Sequence, residues 1–487
     1  MAFLEDTTEE TLAAIAKAQT TGITSSTGVV SYDLTGVVSL IPVVTPFRDR
    51  VARVKSPNGN PYAVWRALLN MNNSQSTPTP GLDYAANEVI FNEQDFQAKY
   101  QAIGYAGFVT QDAFDLAQGL FDPYANATFQ TLNQTLIGED RLLVGGQSFA
   151  LARPATPTLT KNTTGGSIGS ATVYVAVAAR TGYNYFYGGN SRANSASTTF
   201  SSGTTNSVTA SIAAVRGAVA YDWFQSADGT TWYYYTTTTV ATVTMTSVIS
   251  AAQAVPTTTV IDLYSGTPTI STSADNGSAA GNSIDGLLAT LSGDYNSTGQ
   301  FVTSGTASAN PSQFVDGGAA ALTLTGGSVA QIETLFNSIY GAVKASPTAI
   351  MVNPAQAQEI ANLILGSSSA VTYLQTDSDG RVNATAGGRI GSVVNAPAGG
   401  IVVPIEVHPS VPAGTIIGRT DRVPFPQSGI SSTLEVRTLR DYSQFDYGIN
   451  RNQGVAGGGP RKEFEIRSVE AFVNRAPVSM GVISNIA

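Results

Sequence analysis

The chain has no cysteine. Disulfide frameworks, cysteine-ligated zinc, iron–sulfur clusters and thiol nucleophiles are therefore excluded. It has one histidine, His408, which excludes histidine-rich metal sites and the HExxH metalloprotease pattern. Charge is scarce: Asp, Glu, Lys and Arg make up 12% of the 487 residues, against about 25% in an average soluble protein. The balance of 25 basic against 34 acidic residues gives a formal charge of -9. That opposes a basic nucleic-acid reader, whose affinity comes from clustered Lys and Arg on phosphates. It does not exclude contact with DNA over a large surface. No run approaches the about 20 apolar residues of a membrane helix, and the stretch 37–44 is broken by Ser39 and Pro42. The start, MAFLEDTTEE, has neither a basic head nor an apolar core, so no signal peptide is expected.

What the chain does have is 42% hydrophobic residues, enough to bury a core. At about 150 residues per domain its length suggests about three units. Ser, Thr, Gly, Asn and Ala take the place of charge. Such a surface solvates itself with hydroxyls and amides. It suits a protein that buries much of its exterior against copies of itself, and equally a secreted adhesin or surface-layer subunit.

No catalytic constellation is present. His408 lies in a Pro-rich stretch without a nucleophile or an orienting partner, so a structural role is expected. Residues 377–380, DSDG, begin like a calcium loop but place Val382 and Gly388 where Gly and Glu are required. Residues 387–391, GGRIG, lack the full dinucleotide pattern. No catalytic, cofactor-binding or metal-binding residue is assigned, and the chain is not expected to be an enzyme.

The organisation is more informative. Residues 5–19 read as a short helix, followed to about residue 36 by a Gly-, Ser- and Thr-rich arm. Residues 50–55 alternate basic and apolar side chains like a half-exposed strand. Two strand-like runs, 62–69 and one ending at Phe91, read as a long hairpin, which is marginal alone and must lie on something. Thr110 caps a helix expected over 110–137, kinked near Asp122 by Pro123. From about 155 to 265 Thr and Ser dominate and short strands alternate. There Asp228 and Gly229 make a tight turn between Trp223 and Trp232. This reads as an inserted β-sandwich. The aromatic residues at 221–235 read as its core, with stacking on sugars as the alternative. Ser328 and Gln331 read as a capping box for a helix whose stripe is Val329, Ile332, Leu335, Phe336, Ile339 and Val343. A buried strand at 348–352, then Asn353 and Pro354 opening a second helix closed by Gly366, follow. The remainder is strands divided by Pro- and Gly-rich turns, the last charged one expected over 461–473.

Four stretches carry a family resemblance through their order: 96–105 (FQAKYQAIGY) leading into the long helix, 139–146 (EDRLLVGG), 347–354 (PTAIMVNP) and 411–418 (VPAGTIIG). With them the chain resembles the major capsid proteins of tailed bacteriophages, the Hong Kong 97 fold. The likeness covers the chain except about 155–265. That insert resembles the immunoglobulin-like or fibronectin-type sandwiches of phage structural proteins, through 213–221 (AAVRGAVAY) and 226–230 (SADGT).

The resemblance implies an α+β fold with an all-β insertion. The implied parts are an N-terminal arm (1–45), an extended loop (46–95) and a peripheral strand with spine helix (96–154). After the inserted sandwich (155–265) come an axial domain with returning peripheral segments (266–430) and terminal peripheral strands (431–487). It implies hexamers and pentamers closing into an icosahedral shell around double-stranded DNA, bound without sequence specificity. Separate scaffold, portal and cement proteins are implied as partners, with no membrane and no cofactor. The place of action would be the virion capsid, assembled in the host cytoplasm. Arg53, Lys55, Tyr62 and Trp65, on the loop that cannot fold alone, are expected at subunit contacts. The insert is expected to decorate the outer face. An encapsulin-like compartment shares the implied fold.

Overall fold

The computed structural model describes residues 42–56, 59–71, 91–117, 122–182, 191, 193–249, 283–302, 305, 308–325, 328–365, 391–422, 432–451 and 460–487. The expected helix at 5–19, the arm that follows it, Gly366, the DSDG stretch and residues 387–390 lie outside them. The described chain is α+β and forms two compact units. One is Met1–Gly59, Tyr100–Arg141 and Arg437–Glu470; the other is Asn60–Lys99, Leu142–Val436 and Ala471–Ala487.

The first unit is built on a sheet with the order Ala52–Lys55, Leu434–Arg451, Pro460–Asn474, Gln101–Thr110. The last two strands pair antiparallel from Arg461 opposite Thr110 to Glu470 opposite Gln101. Gly104 permits that close pairing, since a Cβ there would lie 2.1 Å from the Ile466 carbonyl oxygen. The single kinked helix expected over 110–137 is instead two helices, Gln111–Leu116 and Pro123–Gly145. Pro123 stands at the first position of the second helix, where its missing N–H costs no helical bond. The Asp122 carboxylate caps the new start by accepting the Tyr124 and Ala125 N–H groups at 2.9 and 3.1 Å. Thr110 precedes the first helix but makes no side-chain cap. The long helix lies on the sheet: Tyr124 meets Phe464 edge-on with centroids 5.1 Å apart. At Gly107 a Cβ would collide with Phe464 and the Thr131 hydroxyl.

In the second unit, Tyr62–Met71 pairs antiparallel with Phe91–Lys99. The hairpin thus reaches Lys99, past residue 95, and its second arm begins rather than ends at Phe91. Its root lies on the same unit. Phe96 contacts Tyr295 edge-on at 5.1 Å and stacks near Phe301 at 6.1 Å, and the Gln97 N–H donates to the Gly299 carbonyl at 2.9 Å. Gly299 has φ +81°, and a Cβ there would sit 2.0 Å from the Asp95 carbonyl oxygen.

Between residues 158 and 245 two antiparallel sheets face each other. One has the order Tyr233–Thr238, Ala220–Ser226, Thr172–Arg180, Asn194–Thr199, and the other Thr242–Met245, Ser207–Ser211, Thr158–Asn162. The strand period sends Val173, Val175, Val177, Tyr221 and Trp223 inward against Val208, Ala210, Val243 and Met245. Strand pairing closes at Gln225 opposite Tyr233, a wider connection than a two-residue turn. Asp228 organises it by accepting the Thr230 and Thr231 N–H groups at 2.8 and 2.7 Å, while Gly229 supplies φ +74°. The other face of the four-stranded sheet buries Ala176, Ala178, Phe224, Trp232 and Tyr234. It also carries the buried Arg180–Asp222 pair, with Arg180 Nη2 2.7 Å from Asp222 Oδ1. Tyr221, Trp223, Trp232 and Tyr234 are therefore core, and the sugar-stacking alternative is overturned for them.

A six-stranded mixed sheet follows: Gln313–Ala320, Gly481–Ile486, Ile416–Arg419, Ala349–Val352, Ile401–Val407, Ser392–Asn395. The helix Ala330–Val343 buries Ile332, Leu335, Phe336 and Ile339 against it. Its start differs from the expected capping box. Ser328 sits in a short strand and donates to Glu333, while the Gln331 side chain accepts the Thr323 N–H at 3.1 Å. Asn353 does cap Pro354–Leu365, accepting the Ala355 N–H at 3.0 Å.

The sandwich is bonded to its own unit at two places. Arg216 donates to the Leu291 carbonyl at 3.2 Å and to the Ser312 carbonyl and hydroxyl at 2.8 and 2.7 Å. Asn485, at φ 64°, accepts the Ala241 N–H at 2.6 Å and donates to Asp316 Oδ1 at 2.7 Å.

Candidate functional site

The four residues expected at contacts fall into two places. Arg53 and Lys55 share the strand Ala52–Lys55 in the first unit. Tyr62 and Trp65 share Tyr62–Met71 in the second.

Arg53 is the hub of an ionic cluster within the first unit. One side of its guanidinium meets Glu139 of the long helix. The other, Nη2, lies 2.8 Å from Glu470 Oε2 and 3.3 Å from Asp441 Oδ1. Arg48 adds a second cation, with Nε 2.6 Å from Glu139 Oε2. The Tyr442 hydroxyl also donates to Glu139, and its ring lies under both guanidinium groups, 5.5 Å from Arg48 and 5.1 Å from Arg53. Asp140 accepts the backbone N–H groups of Phe47 and Arg48 at 3.1 and 2.9 Å. The Glu139 and Glu470 carboxyl groups are wholly buried. Burial, and then the charge of Glu139, push the Glu470 carboxyl up to about 8. Arg53 stays firmly charged, its desolvation outweighed by Glu470 and Glu139. These contacts fasten the edge strand to helix and sheet. Lys55 is exposed.

Trp65 is buried in its own chain, stacked on Phe96. Tyr62 is half-buried at the hairpin root, and Val64 points outward. Arg66 forms an exposed ion pair with Asp95, Nε to Oδ1 at 2.6 Å.

Glu139, Glu470, Tyr442 and Arg48 were not singled out from the sequence. Glu139 opens the EDRLLVGG stretch and Glu470 lies in the last charged strand, yet only the fold brings residues 53, 139 and 470 together. His408 is buried, its Nδ1 accepting the Ser410 N–H at 3.0 Å. Among the described residues no group of acidic side chains and histidine is arranged to hold a metal. Among the same residues no helix is long and apolar enough to cross a membrane.

Both units carry large exposed apolar side chains. In the first, Phe129 on the long helix is 58% exposed, and Phe108, Phe114 and Tyr447 are exposed too. In the second, Val394 and Val402 are cross-strand partners at the edge of the six-stranded sheet, and Val402 is 61% exposed.

No family model matches the chain, and no curated protein does. Among solved structures the chain is similar to the capsid of a cyanophage A-1(L) asymmetric unit, at 10% identity and TM-score 0.46, over 93% of this chain and 95% of that one. It is similar to the capsid of an empty GTA particle, at 9% identity and TM-score 0.40, over 94% of each chain. It is also similar to the holo-SrpI encapsulin complex of Synechococcus elongatus PCC 7942, at 10% identity and TM-score 0.36, over 93% of each chain.

Proposed function

We propose that the chain is the subunit of a closed protein shell, the major capsid protein of a tailed bacteriophage. It would assemble through hexamers and pentamers around double-stranded DNA. The observation that supports this best is the set of large apolar side chains left exposed on both units, Phe129 and the Val394–Val402 pair foremost. Exposed apolar patches mark surfaces that other molecules cover. A surface poor in charge, on a chain with no assembled catalytic group among the described residues, fits copies of itself as the partner. The order of hairpin, long helix on a four-stranded sheet, sandwich and mixed α/β layer agrees with the family resemblance read from the sequence.

In this reading Lys55, Tyr62 and the outward Val64 face a neighbouring copy. Arg53 fixes the edge strand of its unit in shape, and Trp65 fixes the hairpin root of the other. The sandwich decorates the outer face. Its Tyr221 supports the immunoglobulin-like assignment: the hydroxyl accepts the Val215 N–H at 3.0 Å, six residues upstream, which is the tyrosine corner of such sandwiches. Scaffold, portal and cement proteins would be separate chains.

Light scattering after size exclusion tests the proposal. Capsomers or megadalton particles are expected, and a stable monomer across salt and concentration contradicts it. Particles that hold protein cargo and no DNA when isolated from the native source would favour the encapsulin alternative.

A further inference from the structure

Glu470 and Glu139 sit on opposite elements, the strand Pro460–Asn474 and the helix Pro123–Gly145, with both carboxyl groups wholly buried. One guanidinium, that of Arg53, serves both. Glu470 Oε2 takes its bond, while Glu470 Oε1 meets no donor among the described residues. A buried carboxylate oxygen without a donor is costly, and protonation removes that cost.

We propose that Glu470 holds a proton in the folded chain and acts, beside Glu139, as a clasp on the edge strand Ala52–Lys55, closed when Glu470 holds that proton and loosened when it is lost. The charged and titratable groups around the pair are few. Arg53 faces it from the edge strand and Arg48 from the segment before it. Asp441 and Tyr442 face it from Leu434–Arg451, and Asp140 lies beside Glu139 on the helix. With the proton in place, the buried carboxyl pair carries one negative charge between two arginines. Without it, Arg53 must serve two buried carboxylates and the exposed Asp441 at once. The like charges then repel where both carboxyl groups are shielded from water. The repulsion falls between the helix and the strand that Arg53 ties to the edge strand, so the edge strand is held less tightly.

The direction of the pH effect follows. The Glu470 carboxyl is raised to about 8 in the folded chain, from an ordinary value of about 4.3. Its neutral form is therefore favoured by folding. The stabilisation is complete below the ordinary value and is lost as pH rises through about 8. The clasp tightens in acid and opens in mild alkali. This does not depend on the shell reading.

Hydrogen exchange of the full-length chain tests it, read at the edge strand and at Ser56, whose N–H donates to the Thr438 carbonyl at 2.8 Å. Wild type and Glu470→Gln are compared at the same pH, so that intrinsic exchange cancels. Opening that returns Glu470 to its ordinary value should raise the ratio of wild-type to variant exchange by about 100-fold from pH 6 to pH 9, tenfold for each of the two units between pH 6 and about 8, with no further rise beyond. A ratio that does not change with pH overturns the proposal. Should Glu470→Gln not fold, infrared spectroscopy of wild type replaces it. A carboxylic-acid carbonyl band at neutral pH that fades towards pH 9 supports the proton on Glu470, and its absence at neutral pH overturns it.

Discussion

Trp65 lies directly opposite Phe96 in the hairpin ladder, and the two rings stack with centroids 5.9 Å apart and planes 18° from parallel. Phe96 in turn rests on Tyr295 and Phe301, so the hairpin is held at its root by a run of four aromatic rings. Trp65→Ala should cost about 3–5 kcal/mol at this root, the usual range for emptying a buried aromatic site. Trp65→Phe should cost much less, because the Trp65 indole N–H has no partner among the described residues. Hydrogen exchange along Tyr62–Met71 would read both. Equal protection in all three proteins would show that the stack does not hold the hairpin.

The Arg180–Asp222 pair is buried on the face of the sandwich sheet away from its main core. Removing one partner leaves an uncompensated charge there, so Arg180→Met or Asp222→Leu alone should destabilise the chain by about 3–5 kcal/mol. The double variant should recover most of that loss, since apolar residues replace buried ion pairs at little cost. Denaturant titration of the four proteins gives the coupling. Additive losses would mean that the two charges are satisfied independently.

Asp228 gives a pH signature. Its carboxylate accepts the Thr231 and Thr230 N–H groups and the Ser226 hydroxyl, which hold it well below the ordinary Asp range. A depressed folded value contributes stability above the unfolded value of about 3.9 and loses it as pH falls further. Wild type should therefore exceed Asp228→Asn in thermal midpoint near neutral pH, and the gap should close in acid. A gap constant with pH would assign the effect to turn geometry alone.

Replacing residues 155–265 by a short Gly–Ser linker tests the decoration reading together with the Arg216 and Asn485 contacts. The deletion strips the Ala241 N–H from Asn485 and the Arg216 guanidinium from Leu291 and Ser312. Each buried group left unpaired costs about 1–3 kcal/mol. The truncated chain is expected to fold with a lowered midpoint and to form particles that lack external density. Folded subunits that no longer assemble would make the sandwich part of the lattice.

Periodicity made the elements legible. The stripe of Ile332, Leu335, Phe336 and Ile339 and the alternating valines at 173, 175 and 177 are core in the structure as in the sequence. Local chemistry at single positions was less secure. The apolar spacing carried one helix through 110–137 where the structure has two, the second opening at Pro123, and Ser328 gave its hydroxyl to Glu333 rather than to a helix start. The closing strand Gly481–Ile486 is buried inside the six-stranded sheet, between partners that its six residues do not name. The Arg53 cluster was the least legible part. Its members stand at 48, 53, 139, 442 and 470, and no local pattern in the sequence links positions so far apart.

Electron microscopy of the purified full-length chain tests the central claim most directly. Closed shells or rings of five and six subunits, with the long hairpin lying across a neighbouring copy, are the expected result. A field of dispersed monomers at high concentration, with scaffold supplied and across a range of salt, would contradict it.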